Sequence, residues 1–585
     1  MKKRAFARVP PVRARWVFYF FTFVSLFLAG RLFYVQIQRG PALAKAALEQ
    51  RSDTIDVFAR RGSITDRNGN VLVRSLPSQS IYAVPHDILD PKETVAKLTP
   101  ILGKLDAQTV ALLSDKKAWF VWLARKVSHD RALKIRALHL PGIQIKRERT
   151  GRRFDVVGKL AANIIGFVGT DENGLDGAEY YYDSYLRGQT GKVTLETDEF
   201  GRPIPFGHET TVIPAHDGVD LALTIDSYLQ YITERALDKQ VAKFHATSGV
   251  AIVMDPNTGA VLALANAPSF DPNAFWKASD NARRDRAVMD AYEPGSTYKL
   301  VTAAAALTSG KVTTHSRFAA RDTLTVDDRV IHNAEDGFMA GTGQSETLEQ
   351  IIAYSHNVGA AEVGMSIGGR IFYAMEKKAG FTRITNIGLP GENPGIVPPP
   401  SQWSGSSLAT MSFGQGVAVT PIAMARYYSA IANGGLLYRP RILSALRKHD
   451  GTLLYRYHPE LIRRVFSPQI AATLRNYLKA VVRYGTGDPA AQIPGYTTAG
   501  KTGTAQISRD GVYEPGAYVA SFIGMIPADH PRFVILVKVD HPVGSYYGSE
   551  VAAPAFVTIA RAAMLHENIP PKFPPTRKPI AKSHA

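Results

Sequence analysis

The hydropathy pattern changes character several times along the chain. Residues 16–37 form a near-continuous apolar run whose sole charge is Arg31. At about 1.5 Å of rise per residue, such a run crosses a hydrocarbon core of roughly 30 Å, so it predicts a transmembrane helix. Lys2, Lys3, Arg4, Arg8, Arg13 and Arg15 precede it with no acid between them. That asymmetry leaves residues 1–15 as a cytoplasmic basic tail and exports everything after the span. A cleaved signal peptide is the competing reading, since Ala42-Leu43-Ala44 resembles a cleavage site. The apolar run exceeds the roughly 7–15 residues of a signal core, which favours an uncleaved anchor. Arg31 is expected to snorkel to the outer interface or to face a partner membrane protein.

Beyond the anchor the apolar positions alternate over strand-length stretches. Arg61-Gly62-Ser63-Ile64-Thr65-Asp66-Arg67-Asn68-Gly69 reads as strand, turn, strand, with Asn68-Gly69 at the turn. Residues 75–147 carry a Leu, Ala and Lys pattern that suggests helices in a generic α/β segment. A Gly-punctuated block follows: Arg152-Arg153-Phe154, Ile164 to Gly169, Gly174 to Glu179, and Leu186-Arg187-Gly188. From Asp217 onward the signals are clearer. Residues 221–225 predict a strand and 227–243 a helix. Residues 249–254 and 260–265 predict a hairpin about Asp255-Pro256-Asn257-Thr258-Gly259, and residues 518–525 and 533–539 two further strands. Val397-Pro398-Pro399-Pro400 predicts an extended loop. Gly414-Gln415-Gly416 lacks the Gly-Lys-Ser/Thr ending of a phosphate loop, which argues against nucleotide binding.

A chain of 585 residues, 45% hydrophobic and 21% charged, predicts more than one ordinary globular domain. It has no Cys, so disulfide frameworks, thiolate metal sites and a Cys nucleophile are excluded. No metal-ligand spacing appears, and neither metal nor cofactor is expected. The net charge of +18 invites a nucleic-acid reading. More than half of it sits in the two ends, however, the second carrying Lys572, Arg577, Lys578 and Lys582 without an acid. With no nucleic-acid-binding motif beside it, this charge points to membrane surface or anionic wall polymer.

The chemistry lies in three motifs in fixed order: Ser296-Thr297-Tyr298-Lys299, Ser355-His356-Asn357 and Lys501-Thr502-Gly503. Pro294-Gly295 precede Ser296 and an Ala-rich apolar run follows, which predicts a loop entering a buried helix with Ser296 in its first turn. A helix start offers free N–H groups and a positive dipole end to an oxyanion forming there. Lys299, three residues on, shares a face with Ser296. A serine hydroxyl needs a base to take its proton, and a buried lysine near another cation is one whose pKa is lowered enough to serve. Ser355 and Asn357 follow Ile351-Ile352-Ala353-Tyr354 within a helical pattern. Lys501, Thr502, Gly503 and Thr504 lie in a β-rich stretch, where Gly503 lets a substrate strand approach the backbone. Lys501 with the Thr502 and Thr504 hydroxyls suits a terminal carboxylate.

Together the motifs make the chain resemble the class B penicillin-binding proteins, most like their septal, cell-division type. The pattern 61–69, the block 152–191 and Tyr546-Tyr547-Gly548 add to the resemblance, although Asn163 stands where many relatives carry His. The resemblance implies an α+β fold: a penicillin-binding-protein/serine β-lactamase-like transpeptidase domain with a five-stranded antiparallel sheet flanked by helices. The expected order is tail 1–15, anchor 16–37, β-rich pedestal 39–215, transpeptidase 216–565, and a disordered Pro- and Lys-rich tail 566–585. It further implies that Ser296 attacks the carbonyl between the last two D-alanines of a peptidoglycan stem, releasing D-alanine and leaving an acyl-enzyme for a neighbouring amine. Lys299 would be the base, Ser355 the proton relay and Asn357 a donor to the substrate amide. Lys501, Thr502, Gly503 and Thr504 would line the carboxylate strand, and the Ser296 and Thr504 N–H groups the oxyanion hole. β-Lactams would be covalent inhibitors. No glycosyltransferase motif is seen, so a multi-spanning membrane glycan polymerase (of the SEDS type) and other division proteins are expected partners. The expected location is the cytoplasmic membrane, single-pass, with the catalytic domain outside. The rivals are an elongation-type class B protein, a β-lactamase, and a non-catalytic β-lactam sensor or scaffold.

Overall fold

The computed structural model describes residues 11–148, 151–198, 204, 209–334, 343–509 and 512–573. Most of the basic N-terminal tail and residues 574–585 of the C-terminal one lie outside the described residues. The chain divides into two compact units, Met1–Ala59 with Gln189–His216, and Arg60–Gly188 with Asp217–Ala585.

In the first unit a helix Pro11–Phe33 continues through a π turn Tyr34–Gln38. Val12–Gln38 is long and apolar enough to cross a membrane, and none of it is buried. The expected span 16–37 falls inside it. A second helix, Gly40–Arg51, leads into a three-stranded antiparallel sheet in which Ser52–Val57 pairs with Gly191–Glu196, and that strand with Glu209–Ile213.

The second unit contains the catalytic sheet. Its five antiparallel strands run in the order Val261–Ala267, Ser248–Met254, Phe533–Asp540, Val512–Ile526, Ala499–Arg509. Both faces are covered, so the strands read as continuous apolar runs and alternate residues serve different cores. Val250, Ile252, Ile523 and Leu536 pack with Leu300, Val301 and Tyr427 on one side. Ala251, Val253, Phe522 and Val537 pack with Leu229, Leu237, Phe556 and Ile559 on the other. The second face is covered by helices Ser227–Lys243 and Ala553–His566. Asp226 caps the first of these, accepting from the Tyr228 and Leu229 N–H groups at 3.1 Å each.

Residues 39–215, the expected pedestal, are shared between the two units. Its strands Ile64–Thr65, Val71–Leu76 and Arg152–Asp155 join Asp220–Leu223, Leu443–Arg447 and Leu453–Arg456 in one six-stranded sheet. The 61–69 hairpin turn is held by Asp66, whose Oδ1 accepts from the Asn68 and Asn70 N–H groups at 2.8 and 2.9 Å. Beneath it, Arg61 donates to Glu179 at 2.9 and 2.6 Å and to Asp183 at 2.7 Å, while Arg153 donates to the other Glu179 oxygen at 2.5 Å. Asn163 donates to the Arg283 carbonyl at 2.9 Å. Residues 78–147 fold as a three-stranded sheet backed by helices Pro91–Leu102 and His129–Arg136 around Ile81, Leu98, Val121 and Ile135. The last helix ends at His566, and the following residues pack back, with the Lys572 N–H on the Gly495 carbonyl at 2.8 Å and Tyr496 Oη on the Ile569 carbonyl at 2.7 Å.

Candidate active site

The site forms where the edge strand of the catalytic sheet meets two helix starts. Gly295–Tyr298 is a 3₁₀ turn that feeds the helix Lys299–Ser309. Ser296 therefore lies just ahead of the helix, and Lys299 is its first α-helical residue. The turn is pinned from below: Tyr428 Oη donates to the Thr297 carbonyl and Tyr427 Oη to the Leu300 carbonyl, both at 2.9 Å. Tyr298 Oη donates to buried Glu376 at 2.8 Å, and burial pushes that carboxyl up to about 8. Gly295 has φ 53°, and a Cβ there would meet the Thr504 carbonyl at 3.0 Å. That close approach places the Ser296 turn against the Lys501-Thr502-Gly503-Thr504 strand.

Ser355 departs from its expected setting inside a helix. The helix Leu348–Tyr354 ends at Ser355, whose φ of 64° is left-handed, and a new helix, Asn357–Ile367, begins two residues later. The break has a physical purpose: it lifts Ser355 and Asn357 out of helical register toward the two lysines. Asn333 holds the new helix start, its Oδ1 accepting from the Asn357 and Val358 N–H groups at 2.8 and 3.1 Å. Asn357 Nδ2 donates to the His332 carbonyl at 2.9 Å.

The motif residues converge. Lys299 Nζ donates to the Ser355 carbonyl, to Ser355 Oγ at 3.3 Å and to Asn357 Oδ1 at 2.8 Å. Lys501 Nζ donates to Ser355 Oγ at 2.9 Å and to the Thr502 carbonyl and hydroxyl at 3.2 and 3.3 Å. Both lysines are fully buried. Desolvation, then the nearby Lys501, drives Lys299 well below its ordinary value, against an opposing pull from Glu346. Desolvation takes Lys501 down to about 7. Thr502 Oγ1 is bonded to Thr486 Oγ1 at 2.7 Å. Thr504 is half-buried, its hydroxyl donating to the Tyr546 carbonyl at 3.4 Å. Gly503 lies against Ser521 and Thr297, so closely that a Cβ would sit 2.3 Å from Ser521 Oγ and 3.0 Å from Thr297 Cγ2.

All eight residues anticipated from the sequence thus belong to one locus. Asn333, Glu346, Thr486 and Glu376 were not anticipated, because no motif spacing carries them; register and loop closure bring them in. Chemically, the locus offers a hydroxyl on a helix-start turn, a buried amine one turn away and a second amine behind a β strand. Ser355 Oγ bridges the two amines.

Comparison with known proteins gives the family. Residues 249–564 match the model of the penicillin binding protein transpeptidase domain, and residues 56–223 that of the penicillin-binding protein dimerisation domain. The chain is 34% identical to peptidoglycan D,D-transpeptidase FtsI of Escherichia coli, covering 93% of this chain and 90% of that protein. It is 34% identical to stage V sporulation protein D of Bacillus subtilis, covering 96% and 86%. The crystal structure of penicillin-binding protein 3 from Mycobacterium tuberculosis complexed with aztreonam superposes with a TM-score of 0.69 at 30% identity, covering 89% of this chain and 99% of that one.

Proposed function

We propose, given that the chain belongs to the class B penicillin-binding proteins and is a peptidoglycan D,D-transpeptidase, that it cross-links septal wall through an acyl-enzyme on Ser296. The observation that carries the chemistry is the pair of buried lysines on Ser355 Oγ. Neutral Lys299 takes the Ser296 proton as Oγ attacks the penultimate D-alanine carbonyl. Ser355, bonded to both amines, passes that proton to the departing D-alanine amine. Protonated Lys501, with Thr502 and Thr504, holds the stem's terminal carboxylate. The Ser296 and Thr504 N–H groups receive the oxyanion, a contact typically worth about 10²–10³ in rate per donor. Asn357 Nδ2 turns from the His332 carbonyl to the substrate amide. The acceptor amine then attacks the ester and frees Ser296. β-Lactams enter by the same first step.

The unburied apolar helix Val12–Gln38 supports a single-pass anchor with its basic end in the cytoplasm and the catalytic unit outside. The septal assignment rests on likeness to FtsI and on Tyr546-Tyr547-Gly548. A membrane glycan polymerase of the SEDS type is the partner that would supply uncross-linked strands. Two experiments test the reading. Ser296→Ala should abolish labelling by a fluorescent penicillin while leaving the fold intact; persistent labelling of the folded variant removes Ser296 as nucleophile. Depletion in a rod-shaped host should give long filaments, with a fluorescent fusion gathered at midcell. Round, swelling cells with a dispersed fusion would establish the elongation role instead.

A further inference from the structure

The residue between Ser355 and Asn357 is His356, and it is not a spacer. Its side chain is buried, and its Nδ1 donates to Glu346 Oε2 at 2.5 Å. Glu346 is also buried, 1% exposed, on the short strand Ser345–Thr347. A Cβ on Gly359, one turn into the helix that His356 opens, would sit 2.5 Å from Glu346 Oε1, so the carboxylate is packed tightly under that helix start. Tyr354 stacks on the His356 ring at 5.9 Å. A histidine and a carboxylate sealed together cost desolvation, which their hydrogen bond offsets. The field of Glu346 also reaches Lys299, where it favours the protonated amine.

We propose that Glu346 and His356 form a buried clamp of positioning residues for acyl transfer, holding Ser355 in its left-handed conformation between Lys299 and Lys501 and supplying a carboxylate counter-charge to Lys299. Ser355 is left-handed at φ 64°, a conformation costly to a non-glycine residue and kept only where its surroundings over-determine it. Here the surroundings are named: the preceding helix end, Asn333 on the Asn357 N–H, and Glu346 on the intervening His356. Release of His356 would let Ser355 relax and carry its Oγ away from Lys501. The inference rests on the reading of Ser355 as relay.

The charges that act on Lys299 are Lys501 on the sheet and Glu346, which is bonded to His356; Glu362, further along the helix, acts on Glu346, and Glu376 bonds the adjacent Tyr298. Of these, Glu346 raises the Lys299 pKa. Its loss must therefore lower that pKa, and the rising limb of acylation, where Lys299 sheds its proton, must move to lower pH. The test is the pH profile of the second-order acylation rate of the full chain with a fluorescent penicillin. Glu346→Gln, which keeps shape and acceptor oxygen, should shift the rising midpoint to lower pH. His356→Ala should cut the plateau rate at least about tenfold. His356→Asn, which returns a donor near the Nδ1 position, should recover most of the loss. An unmoved midpoint in Glu346→Gln, or His356→Asn no better than His356→Ala, overturns the clamp. So does a loss of rate that only follows a loss of folded protein by circular dichroism. Ser355→Ala is run alongside. Full activity in that variant would remove the relay reading, while the midpoint of Glu346→Gln still judges the counter-charge.

Discussion

Two ammonium groups cannot both stay charged at little cost when each is buried and both reach Ser355 Oγ, Lys299 at 3.3 Å and Lys501 at 2.9 Å. The site resolves this by division of labour. On the proposed reading Lys299, pushed down by burial and by Lys501, serves as the base, and Lys501, at about 7, meets the carboxylate. The sign of the pH dependence follows. The second-order acylation rate should rise as Lys299 loses its proton and fall again near pH 7 as Lys501 loses its own, because that quantity reports the free enzyme. Lys501→Arg, always charged, should lower the maximum but remove the falling limb below about pH 10. A falling limb that stays in place would take Lys501 out of this role. Lys299→Arg should lose acylation by about 10²–10⁴, the span of a general base. The motif residues were legible because their spacing is their signature. Glu346 and Asn333 were not, since a single Glu or Asn in a loop or short strand carries no pattern until tertiary closure places it.

At the scale of elements, alternation and turn chemistry were reliable guides. The helix Ser227–Lys243 spans the residues predicted for it, and the hairpin about Asp255 to Gly259 pairs as expected. The break at Ser355 was hidden because Ile351-Ile352-Ala353 runs into Val358 to Ala361 with an uninterrupted helical period. Only tertiary contacts override it. The lysine strand shows the converse, where a glycine legible from sequence has a measurable geometric reason. Gly503 separates Ser521 from Thr297 on the nucleophile turn. Gly503→Ala should force the strand and the Ser296 turn apart and cut acylation about 10²-fold, the usual loss for a displacement near 1 Å. Ser521→Ala in the same chain removes the closer obstacle, Ser521 Oγ, and should restore part of the rate. Equal rates for the single and double variants would assign the defect to something other than this contact.

At the scale of the molecule, the least legible feature was the partition of the chain. A pedestal signature implies a domain, yet strand Ile64–Thr65 pairs in parallel with Asp220–Leu223, so part of the pedestal shares a six-stranded sheet with strands that follow residue 216. Local pattern cannot announce a pairing across more than 150 residues (the Thr65 and Leu221 contact spans 156). Arg61, just ahead of strand Ile64–Thr65, belongs to a buried charge cluster. The side chains of Arg61 and Glu179 are each 1% exposed and that of Arg153 is 4% exposed. Glu179 accepts from both arginines, so it joins the segment ahead of Ile64–Thr65 and the strand Arg152–Asp155 to the helix Gly177–Tyr181. Removing one member of such a buried cluster leaves the others uncompensated and costs about 3–5 kcal/mol. Glu179→Ala takes the carboxylate from Arg153 and leaves Arg61 with Asp183 alone, and should lower the thermal unfolding midpoint by several degrees. The Ser296 locus is built from other elements, so the fraction that remains folded should still acylate at a near-normal rate at low temperature. Glu179→Gln, which keeps the acceptor oxygen without the charge, should fall between the two. A Glu179→Ala protein that melts with the parent would show that the cluster adds nothing to stability. One that melts with the parent yet acylates slowly would move the cluster from architecture to catalysis.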